Sequence, residues 1–124
     1  MWSSQTQATF ENLRLELRRG SLILAVLGAL RVERYGYTLR KTLADAGMPV
    51  DEGTLYPLLR RLEAQGLLES QWREEDKRKK RFYRLSPAGT DIFARLMDEW
   101  LQIGQAVSDL HKEPEHGKPD HGPG

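Results

Sequence analysis

Between Leu22 and Leu30 the chain runs through nine residues without a charge, LILAVLGAL. Ile23, Val26, Leu27 and Leu30 fall at i, i+3, i+4 and i+7, the repeat of one helical face, and Leu22, Leu24 and Ala25 make the neighbouring faces apolar too. A helix apolar on most sides has to be buried centrally, so the remaining elements must wrap it. The run is far shorter than the roughly 20 residues that cross a bilayer, and it follows polar and charged residues rather than a short basic leader. The expectation is a soluble, cytoplasmic protein with no membrane partner. A chain of 124 residues can bury a core as one domain without staples. The absence of cysteine excludes thiol catalysis, iron–sulfur clusters and cysteine-based zinc sites, and fits a reducing compartment.

Around the central run the pattern reads as follows. Gln5 to Arg19 carries Phe10, Leu13 and Leu17 as one apolar stripe, and Gly20 and Ser21 interrupt it, which predicts a separate N-terminal helix within residues 1–19. A loop over Glu33 to Gly36 precedes a short helix in YTLRKTLADAG, with Leu39 and Leu43 inward and Gly47 ending it. Asp51 stands as an N-cap whose carboxylate can accept from first-turn amides. Leu55, Leu58, Leu59 and Leu62 then form a clean stripe, Pro57 comes early enough for its missing amide to cost little, and Gly66 closes the helix. Residues from Leu67 to Trp72 alternate as a strand, the charged segment Arg73 to Lys80 reads as a loop, and RFYRL reads as the returning strand. Ser86-Pro87 is a cap followed by a proline at the first helical position. It opens a last helix with Ile92, Leu96, Trp100, Ile103, Val107 and Leu110 on one stripe. From Lys112 the composition is proline, glycine and charge, which predicts a disordered tail over 112–124.

Catalytic chemistry finds no footing. All three histidines, His111, His116 and His121, lie at the C-terminal end, and Glu74-Glu75-Asp76 are adjacent carboxylates with nothing to push their pKa values apart. There is no glycine-rich phosphate loop. The expectation is no enzyme and no cofactor. The histidine spacing could hold a divalent metal weakly, but a disordered tail is the simpler account, and no metal site is assigned.

What remains is charge. The net charge of +1 conceals thirteen Lys/Arg against nine Asp/Glu between Arg31 and Leu85, a local +4. A basic middle suits contact with a polyanion. Helix, helix, capped helix, strand, basic loop, strand is the layout of a winged helix-turn-helix, in which the second helix of the pair enters the major groove and the hairpin lies along the backbone. The leucines would pin one face of that helix, leaving Glu52, Thr54, Tyr56, Arg60 and Arg61 toward the other. Lys77, Arg78, Lys79, Lys80 and Arg81 would neutralise phosphates at the wing. A charged hairpin tip also serves solubility.

The segments YGYTLRKTL, GTLYPLLRRLEAQGLLES and FYRLSPAG together resemble the PadR family of winged-helix transcriptional regulators, and the similarity covers roughly Leu22 to Leu110. The resemblance implies a fold that is mainly α with a small β-hairpin (α+β). It would comprise an N-terminal helix within 1–19, a winged helix-turn-helix over 20–85 and a C-terminal dimerisation helix over 86–111. It implies a homodimeric repressor on a palindromic, double-stranded DNA operator, with Tyr37, Lys41, Thr54 and Tyr56 contacting DNA beside the wing cations. Two positions depart from the family. Tyr35 stands where histidine often precedes the Gly-Tyr pair, and the wing segment Glu74 to Arg81 lacks the usual glycine, so a longer or looser tip is expected.

Two apolar stripes find no cover in so small a domain. Phe10, Leu13 and Leu17 on the first helix, with Ile92, Leu96, Val107 and Leu110 on the last, call for a partner chain, and a two-fold pair is the commonest solution. Trp100, midway along the last helix, reads on pattern as a packing anchor. Similarity to the short, multidrug-sensing subfamily implies instead an indole that stacks a flat aromatic or cationic effector, in a slot with Phe93, Met97 and Ile103. A second class of function stays open, a winged helix that docks a protein partner and never touches DNA.

Overall fold

The computed structural model describes residues 2–115. Most of the expected tail, with His116 and His121, lies outside them. The chain forms α1 (Ser4–Ala29), β1 (Arg34–Tyr35), α2 (Gly36–Asp45), α3 (Glu52–Ala64), β2 (Leu68–Glu75), β3 (Arg78–Leu85) and α4 (Pro87–His111). Among the described residues no helix is long and apolar enough to cross a membrane.

Charge-free sequence does bury centrally. Val26, Leu27 and Leu30 are fully enclosed, together with Leu39 and Leu43 of α2, Leu55, Leu59 and Leu62 of α3, Leu68 of β2 and Tyr83 of β3. Each fully buried leucine contributes about 1.5–3 kcal/mol, so this cluster sets the positions of α2 and α3. Leu58, expected inward with its neighbours, is only half-buried.

The interruption expected at Gly20 and Ser21 does not occur. One helix of 26 residues, about 39 Å long, runs through both. A glycine inside a helix costs about 1 kcal/mol relative to alanine, too little to break a helix that continues on both sides. Ser3 caps its start by accepting from the Thr6 amide at 3.1 Å, and Arg18 donates to the Gly47 carbonyl at 2.6 Å, tying α1 to the α2–α3 connection. Phe10, Leu13 and Leu17 remain exposed on the half that projects from the core.

Glycines end both helices of the pair. Gly47 and Gly66 take φ of +85° and +80°, the left-handed conformation that terminates a helix without a Cβ penalty. Asp51 occupies the N-cap position, but its carboxylate makes no capping bond; its backbone carbonyl accepts from Thr54 and Leu55 instead. Because Leu55 already takes that carbonyl, Pro57 falls past the free first-turn amides and leaves the Gly53 carbonyl without its usual donor. Gly53 and Pro57 are both exposed, so water can serve that carbonyl.

The wing is tighter than its sequence implies. The segment Arg73 to Lys80, expected as a loop, is mostly strand: β2 and β3 pair from Leu68↔Leu85 out to Glu75↔Arg78. Only Asp76 and Lys77 turn, both with positive φ (55° and 63°), the conformation of a two-residue hairpin turn. The stretch expected as loop before α2 supplies β1, which pairs with β3 through Arg34↔Tyr83 and Tyr35↔Phe82. The hairpin therefore becomes a three-stranded antiparallel sheet in the order β1-β3-β2.

Ser86 joins the sheet to α4. Its hydroxyl donates to the Gly66 carbonyl at 2.6 Å and accepts from the Gly89 amide at 2.9 Å, while its own amide reaches the Leu67 carbonyl. Gly89 sits so close to that carbonyl that a Cβ has no room. Substituting Gly89 with alanine is expected to destabilise the fold by about 1–3 kcal/mol through overpacking. Gly20→Ala, with open space around it, should stabilise by about 0.5–1 kcal/mol. Urea midpoints at unchanged slope measure both; equal effects would show that α4 is not docked through this contact.

Candidate nucleic-acid interface

Burial of Leu55, Leu59 and Leu62 orients α3. At 100° per residue the face opposite them carries Gly53, Pro57, Arg60, Arg61 and Ala64, all exposed. Thr54 and Arg61 lean toward α1, where they line an open groove with Arg19, Leu22, Pro57 and Leu58. Tyr56 leans the other way. It is half-buried, with its ring and hydroxyl against Gly36 at the start of α2, where a Cβ would clash. Glu52 is engaged by Arg40 of α2 at 2.9 Å.

Strand alternation divides the five expected wing cations between two faces. Lys79 and Arg81 share the face that carries Tyr83 and turns toward α3; Arg78 and Lys80 share the face that carries Phe82. Arg81 is not free. Its guanidinium holds Glu63 of α3 at 2.8 Å and the Ser70 hydroxyl at 2.9 Å, and Ser70 in turn donates to Glu63. Lys80 lies 4.4 Å over the Tyr35 ring and 3.5 Å from Glu75. Burial works against the Lys80 charge, but the Tyr35 hydroxyl and the Glu75 carboxylate outweigh it and raise the ammonium above its ordinary value. Lys77, Arg78 and Lys79 make no ion pair among the described residues. The expected phosphate-neutralising set therefore separates into three unpaired cations and two that hold the wing in place.

An aromatic ladder fixes the other side of the wing. Tyr37 stacks on Tyr35 (6.4 Å, 24°), and Tyr35 meets Phe82 edge-on at 5.4 Å. The Arg73 guanidinium lies 3.9 Å over Phe82 and is paired with Glu33. Tyr37 is exposed, and Lys41 follows one turn later on the same side of α2. Tyr35, Tyr37, Asp76, Arg78 and Lys80 together line a cleft between the first turn of α2 and the wing tip. The structure thus brings the expected α2 residues next to wing cations. It also adds Tyr35, which sequence reasoning noted only as a departure; its spacing from Tyr37 was the available signal. Tyr83, buried at the foot of the wing, has its hydroxyl pushed above the ordinary tyrosine range by burial, while Arg81 and Arg60 favour its phenolate. Arg60 is therefore on the wing side of α3.

A separate groove of about 290 Å³ lies between α1 and α4. Phe93, Met97 and Trp100, three of the four residues expected to form a ligand slot, line it with Ser21, Leu24, Ala25 and Met48. Ile103 is not among its lining residues; it stands exposed further along α4. The rest of the α4 stripe is open, from 37% exposure at Leu96 to 69% at Leu110. Among the described residues no group of His, Asp or Glu is placed to hold a metal ion.

The profile of the PadR-like transcriptional regulator family matches residues 23–95, which span the core, α3 and the wing. The chain belongs to this family. A PadR family transcriptional regulator from Eggerthella lenta superposes with a TM-score of 0.84 at 38% identity, over 90% of this chain and 100% of that one. A PadR-like transcriptional regulator from Bacillus cereus gives 0.73 at 25% identity, over 80% and 99%. A transcriptional regulator of Mycobacterium tuberculosis is 45% identical over 75 residues, 60% of this chain and 70% of the relative. The three-stranded winged helix is therefore the PadR-like fold, and the protein is a PadR-like transcriptional regulator.

Proposed function

We propose that this PadR-like regulator is a cytoplasmic, homodimeric repressor that binds a palindromic operator and releases it when a small aromatic or cationic effector binds. The observation that carries the DNA reading is the bond between Arg81 and Glu63, which fixes the wing relative to α3 and leaves Lys77, Arg78 and Lys79 unpaired beyond it. With α3 in the major groove, Thr54, Arg60 and Arg61 are the side chains for base edges and flanking phosphates. Tyr37 and Lys41 reach the backbone from α2, and the three wing cations neutralise phosphates alongside. Tyr56 contributes mainly by setting α2 against α3.

Fluorescence anisotropy of a labelled duplex, titrated with salt, tests this reading. Arg78→Ala with Lys79→Ala should weaken binding to every sequence and lower the salt slope by about two units, close to 0.9 for each phosphate released. Arg60→Ala should cost more on a selected operator than on random duplex. An unchanged slope in the double variant would remove the wing from the interface. A winged helix that only docks a protein partner would leave duplex unbound at every salt concentration.

The dimer reading rests on the two exposed stripes, Phe10, Leu13 and Leu17 on α1 and Ile92, Leu96, Val107 and Leu110 on α4. A second copy covering them is expected to keep the protein dimeric at micromolar concentration, with half-sites about 34–36 Å apart. Sedimentation equilibrium showing a monomer there would sink it.

The effector reading rests on the Trp100 groove, whose apolar wall and half-exposed indole suit a flat ligand that a second copy would close over. Flat cationic dyes should quench Trp100 emission and weaken duplex binding in step. Dye binding that survives Trp100→Ala unchanged would reduce this residue to packing.

A further inference from the structure

Among the described residues the large apolar side chains left exposed lie on α1 and α4, at Trp2, Val32 and Tyr37, and, alone on the wing, at Trp72. Trp72 is 62% exposed and pairs in register with Arg81. Alternation places it on the same sheet face as Ser70 and Leu68, the face that turns toward α3. Ser70 and Arg81 both reach Glu63 there, and Leu68 and Tyr83 enter the core. One step further out on this face stand Glu74 and Lys79. From α3 toward the wing tip the surface therefore runs through Arg60, then Arg81 with Trp72, then Lys79.

Packing inside the chain does not account for the indole. Arg81 lies 5.7 Å from its ring, near the outer limit for a cation over an aromatic face, and Glu63 and Ser70 already hold that guanidinium. Leu68 is buried below, so the sheet needs no further anchor. What this strip offers is a flat apolar surface between cations, on the side of the wing that the reading helix also faces. A duplex seated on α3 carries its sugar–phosphate edge over such a strip. Cations answer the phosphates, and an indole answers the apolar faces of deoxyribose and the groove floor, as apolar side chains do in minor-groove binders.

We infer that Trp72 is a duplex-contacting residue of the wing, laying its indole on deoxyribose beside the groove that α3 enters; this rests on the DNA reading above. Because the indole carries no charge, its contribution differs from that of the neighbouring cations. Trp72→Ala should weaken duplex binding about tenfold, within the range for aromatic stacking on nucleic acid, and leave the salt slope unchanged. Trp72→Phe should recover part of the loss.

The deciding measurement is made on protein labelled with 5-fluorotryptophan, whose fluorine resonances for Trp2, Trp72 and Trp100 are assigned with single Trp→Phe variants. Adding a random-sequence 30-base-pair duplex at low salt, with binding followed by anisotropy, should move the Trp72 resonance and reduce its solvent-isotope shift. Duplex that binds while the Trp72 resonance keeps its position and solvent shift overturns the contact and leaves the DNA reading standing. Duplex that fails to bind the wild-type protein at any salt concentration overturns the DNA reading and this contact with it.

Discussion

The leucine face of α3 is the constraint on which the rest of the molecule depends. Leu55, Leu59 and Leu62 lie against Val26, Leu27 and Leu30 of α1 and Leu39 and Leu43 of α2. A helix buried on those three positions has no freedom to rotate, since turning it by one residue would place Arg60 or Tyr56 in the core at a cost of several kcal/mol. The outward display of Arg60 and Arg61 is thus a consequence of packing rather than of any contact those side chains make. Their orientation is set before a ligand arrives.

The wing is positioned by a different physics. Beyond Leu68 and Tyr83 the hairpin has no core to rest on, and its outer pairs are charged on both faces. Polar fastenings take over. Arg81 and Ser70 converge on Glu63 from the α3 side, while Lys80, Tyr35, Phe82 and Arg73 form the opposite side with Tyr37. Each is partly exposed, so each contributes modestly, but together they restrain a ribbon that would otherwise swing. Cations that looked interchangeable in sequence therefore do unlike jobs: Arg81 and Lys80 hold the ribbon, and Lys77, Arg78 and Lys79 stay available beyond it.

The parts that were legible in the sequence were those governed by local pattern. Periodic leucines announced α2 and α3, glycines marked their ends, and Ser86-Pro87 marked the start of α4. Continuity of α1 was not legible, because a glycine–serine pair looks like a break until the helix on both sides is seen to carry it. The wing turn was hidden for a related reason. Asp76 and Lys77 adopt left-handed backbone without glycine or asparagine, and strands charged on both faces show no alternation of apolar and polar residues. The two residues of β1 are too few for any pattern. The partners of Arg81 and Lys80 depend on residues brought close only by the fold, so the division of the wing cations could not be read from their order. Family resemblance supplied what pattern could not, the identity of the fold as a whole.

Continuity of α1 also bears on how the two ends of the molecule communicate. Val26 and Leu27 bury into the core under α3, while Ser21, Leu24 and Ala25 of the same helix line the groove beside Trp100. Had the helix broken at Gly20, the projecting half could have moved without the core. As one rod of 26 residues, it carries any displacement at its exposed half into the domain that presents α3. Interiors this closely packed resist deformation. A ligand wedged between Trp100 and α1 would therefore change little inside a protomer and would act on the relation between two of them. Such a ligand needs only to favour one dimer geometry over another, and the distance between two reading helices follows that geometry directly.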